Sequence, residues 1–75
     1  MDPKQIRWRL RRGMRELDVL MERYFDQHYP TDTPEMQQCF VSLLEQEDPD
    51  IWRWLMGYAE PPEQYAALIQ RLHDA

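Results

Sequence analysis

A chain of 75 residues, 43% of them hydrophobic, can build one small core, and at this length folding removes only roughly 60% of the unfolded chain's surface from water. Cys39 is the only cysteine, which excludes an internal disulfide and leaves a zinc site without the thiolate pairs that usually make one. No run approaches the ~18 unbroken apolar residues of a membrane span and the charged N-terminus has no apolar signal segment, so the expectation is one cytoplasmic domain over residues 1–75, not inserted in a membrane.

The net charge of −5 is unevenly spread. Lys4, Arg7, Arg9, Arg11, Arg12 and Arg15 against the single acid Asp2 give the first fifteen residues +5, and the other sixty carry −10. That balance argues against general binding to nucleic acid or anionic lipid and makes the molecule strongly dipolar.

In chain order, the segment from about Pro3 to Arg12 is a weakly marked helix, because only Ile6 and Leu10 define a buried side. From about Met14 to His28 the pattern is clear: Leu17, Leu20, Met21, Tyr24 and Phe25 recur at helical spacing, and Pro30 stops the run. Thr33-Pro34 supplies a capping hydroxyl followed by a proline whose missing N–H costs nothing there; Met36, Phe40, Leu43 and Leu44 form the stripe behind it. Asp48-Pro49-Asp50 repeats the start signal, with Ile51, Trp54, Leu55 and Tyr58 as the stripe and Gly57 where a left-handed C-terminal residue belongs. Pro61-Pro62 breaks the chain before a last helix bearing Tyr65, Leu68, Ile69 and Leu72, which is expected to fray at His73. The fold class is therefore all-α, a compact bundle of about five short helices.

The inventory for catalysis is poor. Ser42 is the only serine, His28 and His73 lie near different helix ends, and Gly13 and Gly57 are the only glycines, so neither a nucleophile–base pair nor a phosphate loop is evident. Cys39 reads as a small buried hydrophobe. The acids Glu45, Glu47, Asp48 and Asp50 lack the spacing of a calcium loop and are better explained by capping. Trp52 and Met56, one turn apart and off the main stripe, could form a second buried face or an exposed patch; core is the expectation.

The junction from Arg11 to Asp18 is the unusual part. Gly13 between two helices could be a C-cap with positive φ, and Arg12 with Glu16 an ordinary i,i+4 pair. Equally, a bare backbone flanked by a guanidinium and a carboxylate suits close approach by another chain. Spacing alone does not choose between them.

The run Arg12-Gly13-Met14-Arg15-Glu16-Leu17-Asp18 resembles the Arg-Gly-x-x-Glu signature of the SdhE family, bacterial counterparts of a mitochondrial succinate dehydrogenase assembly factor. The likeness extends over nearly the whole chain, through Trp8, the Phe40 to Leu44 helix and the segment from Glu45 to Gly57 that contains Trp54-Leu55-Met56-Gly57. It implies a five-helix bundle that is not an enzyme and binds no cofactor stably. Its partner would be the flavoprotein subunit of succinate dehydrogenase, with fumarate reductase as a further candidate, and it would promote covalent attachment of the partner's own FAD. Carried over residue by residue, the implied contact set is Arg12, Gly13 and Glu16, with Arg11, Arg15, Trp8 and Asp18 as neighbours; the free chain is expected to be monomeric. The alternative is an antitoxin-like regulator that engages a small membrane-associated partner with the same surface. A nucleic-acid binder using Arg7, Arg9 and Arg11 ranks below both, because the acidic remainder would repel the same polyanion and one Trp is a poor stacking platform.

Overall fold

A computed structural model describes residues 2–74. Its helices are α1 (Pro3–Arg9), α2 (Arg15–Gln27), α3 (Pro34–Leu43), α4 (Asp48–Met56) and α5 (Glu63–Asp74), with one 3₁₀ turn at Tyr29–Thr31. No strand occurs among the described residues, and none of the helices is long and apolar enough to cross a membrane.

Local chemistry sets most of the boundaries. Asp2 caps α1 through the Lys4 N–H at 2.9 Å, and Gln5 reaches back to the Asp2 N–H, completing a capping box that the sequence reading missed. The helix ends sooner than expected: Leu10 is its C-cap, and the chain from Arg11 to Met14 is not helical. Thr33 caps α3 through the Met36 N–H at 3.2 Å, as its position before Pro34 predicts. Gly57 ends α4 at φ +77°, a conformation that a side chain resists. At the far end α5 continues through His73 to Asp74, one residue beyond the expected fraying.

The buried side chains come from every helix: Ile6 and Leu10 from the α1 end, Leu17, Met21, Tyr24 and Phe25 from α2, Phe40, Leu43 and Leu44 from the α3 end, Ile51 and Leu55 from α4, and Tyr65, Leu68, Ile69 and Leu72 from α5. Helix α5 packs on α2, α3 and α4, so it is the post that these three share. Tyr58 departs from the expected stripe, because α4 stops at Gly57 and its ring is left in solvent.

A polar tie joins α2, the turn before α3, and α5. Tyr24 Oη donates to Asp32 Oδ2 at 2.6 Å, Arg71 Nη1 donates to both Asp32 oxygens at 3.0 Å, and the Thr33 N–H donates to Asp32 Oδ1 at 3.1 Å. Burial, then the hydrogen bond and the charge of Asp32, push the Tyr24 hydroxyl well above its ordinary pKa. The folded chain thus holds this proton more tightly than the unfolded one. Its contribution to stability is complete below the unfolded tyrosine value of about 10 and drains away as pH rises beyond it. Urea midpoints between about pH 9 and 11 should fall more steeply for the wild type than for Tyr24→Phe; parallel curves would mean that another group titrates.

Candidate partner-docking site

The non-helical link between α1 and α2 is held by its own residues. The Arg12 N–H donates to Asp18 Oδ1 at 2.8 Å, so a residue in the first turns of α2 reaches back to fix the approach of the chain. The Arg12 guanidinium turns the other way: Nε donates to Asp48 Oδ1 at 2.5 Å, Nη1 to the Leu44 carbonyl and Nη2 to the Gln46 carbonyl. Leu44 is the C-cap of α3 and Asp48 opens α4, so one planar fork satisfies a carbonyl at a helix end while neutralising an acid at a helix start. Only 11% of the Arg12 side chain and 21% of the Asp48 side chain remain exposed.

This clamp decides one open alternative and corrects one expectation. Arg12 does not pair with Glu16, because α2 begins at Arg15 and the i,i+4 geometry does not reach back across the link. Nor does the acidic run mainly cap α4: the N-cap position falls to Glu47 without a side-chain bond, Asp48 is spent on Arg12, Asp50 pairs with Arg53 at 3.1 Å, and Glu45 lies 3.9 Å from Arg9.

Gly13 has φ +92°, the left-handed sign of the C-cap alternative, but it is not the C-cap of α1; that place belongs to Leu10, three residues earlier and right-handed. A Cβ built on Gly13 would meet no atom within 4 Å. The turn therefore presents bare backbone to the outside, while Arg12 and Asp18 anchor it from within.

Around it Arg11, Arg15 and Glu16 are exposed, and the Glu16 carboxylate has no ion-pair or hydrogen-bond partner among the described residues. Trp8 is 73% exposed and, with Arg11, Lys4, Arg7 and Phe25, lines a shallow basin on α1. Arg7 is already occupied there, bonded to Asp26 at 2.7 Å and lying 5.0 Å over the Phe25 ring. The set named from sequence thus separates. Arg12 and Asp18 face inward as supports, Gly13 is the open turn, Arg15 and Glu16 stand on α2, and Trp8 and Arg11 belong to the α1 side.

On the α2 side the sequence reading missed a groove of about 520 Å³ lined by Arg15, Glu16, Val19, Leu20, Trp52 and Met56. Trp52 is half-buried and Met56 is 38% exposed, which corrects the expectation that both belong to the core; the α4 core face is filled by Ile51 and Leu55, leaving this pair at the edge. Val19, 44% exposed, completes the apolar lining. Cys39 is likewise half-buried rather than buried: its thiol donates to the Gln64 carbonyl at 3.2 Å, and partial burial pushes its pKa up, away from reactive thiolate. The described residues hold no cluster of three or more metal-ligating side chains.

Comparison with known proteins assigns the chain to a family. The family described as flavinator of succinate dehydrogenase matches residues 4–75. The chain is 37% identical over 72 residues to the FAD assembly factor SdhE of Coxiella burnetii, covering 95% of this chain and 88% of that protein. It is 40% identical over 75 residues to the protein of the same name from Yersinia pseudotuberculosis, covering 95% and 85%, and 39% identical over 69 residues to that of Aliivibrio fischeri, covering 91% and 80%. With a family match over almost its full length and relatives of similar size at this identity, the chain belongs to the SdhE family, the flavinators of succinate dehydrogenase.

Proposed function

We propose that this chain binds the flavoprotein subunit of succinate dehydrogenase before its assembly and promotes covalent attachment of FAD to that subunit. Family membership supports the general role, and the open Gly13 turn beside the unpartnered Glu16 carboxylate is the observation that supports this surface. Glycine lets a partner backbone come close, and a carboxylate can accept N–H groups from it. Arg15 and Arg11 add cationic neighbours. Arg12 and Asp18 act as positioning residues, keeping the turn in place rather than touching the partner.

In this reading the covalent chemistry belongs to the flavoprotein. The factor contributes orientation: by gripping the immature subunit on a pre-formed surface it narrows the conformations in which flavin and acceptor side chain can meet, an effect that can supply several kcal/mol. The same surface could serve the flavoprotein of fumarate reductase.

Glu16→Ala tests the assignment, because it removes the exposed carboxylate without disturbing the Arg12 clamp. Stability should change by less than about 0.5 kcal/mol, reflecting only the lost charge in the first turn of α2. Co-purification with the flavoprotein should drop about tenfold, the loss of one charge-assisted contact. A destabilised variant that still binds normally would assign Glu16 to the helix alone.

A further inference from the structure

We infer that the groove between α2 and α4 is a socket for an apolar side chain carried on a segment of the flavoprotein, next to an acidic residue of that segment that meets Arg15. The inference rests on the docking face proposed above and extends it to the α4 side of the molecule. Val19 and Met56 are two of the four large hydrophobic side chains left substantially in solvent among the described residues, and they meet here over the half-buried Trp52. Trp8 and Tyr58, the other two, do not line this groove.

Three observations select the occupant. The groove is continuous with the Gly13 face, because Arg15 and Glu16, which follow the turn, form its polar lining. The groove, lined by six residues, is far smaller than the roughly 800 Å² that each partner buries in a stable association, so it suits an anchor pocket within the larger contact proposed above. Finally, its rim is charged and specific. Arg15 has no ion-pair partner among the described residues and stands ready for a carboxylate, and Glu16 accepts N–H donors from the backbone that carries the anchor. An apolar anchor in a desolvated pocket surrounded by polar contacts is the usual organisation of a binding hot spot.

Two measurements on the full chain test this with purified flavoprotein subunit lacking covalent flavin. Val19→Lys changes a side chain that is exposed on α2, and its affinity should fall about tenfold or more, the effect of losing a hot-spot contact, while Gln38→Lys, the same charge change on α3, should bind as the wild type does. Separately, with methyl-labelled methionine, the Met56 resonance should shift on adding unlabelled flavoprotein and the Met36 resonance should not. Normal binding by Val19→Lys together with an unmoved Met56 signal would overturn the socket while leaving the Gly13 face intact, provided that Glu16→Ala still binds weakly. Absence of binding by the wild type would overturn both readings. A Met56 shift that follows the concentration of this chain alone would make a second copy the occupant and overturn the proposal.

Discussion

Arg12→Ala should lower the unfolding free energy by about 2–3 kcal/mol, somewhat less than the loss expected when a fully buried ion pair is broken, because both partners keep some contact with water. For a chain of this length total stability is on the order of 4–11 kcal/mol, so the variant would lose a large fraction of it. The deletion strands several groups together: the Asp48 carboxylate, the Leu44 carbonyl and the Gln46 carbonyl all lose their donor. Arg12→Lys should recover only part, since an ammonium can face Asp48 but cannot match the planar fork that also reaches two carbonyls. Urea denaturation of the single and double variants with Asp48→Asn should give a coupling energy of at least about 1 kcal/mol. If Arg12→Ala were as stable as the wild type yet failed to bind the flavoprotein, the guanidinium would be a contact residue and the clamp would be incidental.

The second large effect is at Gly13, where backbone strain and partner clearance can be separated. At φ +92° any L side chain is strained, so Gly13→Ala and Gly13→Arg should each cost about 1–2 kcal/mol of stability, and Gly13→Asn less. Because a Cβ there meets nothing within the chain, alanine and arginine should differ little in stability. They should differ strongly in docking. Arg projects far enough to hold a partner away and should weaken binding by about tenfold or more, whereas Ala should lose much less. Equal losses for both would mean that the conformation of the turn matters and its bareness does not; normal binding by Gly13→Arg would remove the turn from the interface.

Periodicity and caps made the helices legible because both are local. The stripe of α5 falls on buried residues and that of α2 does so except at the half-buried Leu20, and Thr33-Pro34 and Gly57 act where their chemistry placed them. The candidate site could be marked along the chain but its arrangement could not be read. Arg12 finds Asp48 across 36 positions of chain, a distance over which no spacing rule applies, and the same aspartate resembled a cap because it sits at a helix start. The groove escaped for a related reason. Trp52 and Met56 lie off the main stripe of α4, but whether such residues are covered depends on where α2 packs, and only the assembled bundle leaves Val19 beside them. Tyr58 failed in the opposite sense, its helical spacing cut off by the glycine before it.

The proposed division of labour, with Arg12 bracing from inside and Glu16 presented outside, is tested most directly by flavin transfer itself. Purified flavoprotein subunit incubated with FAD should acquire protein-bound fluorescence on a denaturing gel faster with the wild-type chain than without it. Glu16→Ala, equally folded, should need about tenfold more protein than the wild type to reach the same rate, and Val19→Lys should likewise recover when its concentration is raised. Full activity of Glu16→Ala at limiting concentration would contradict the account.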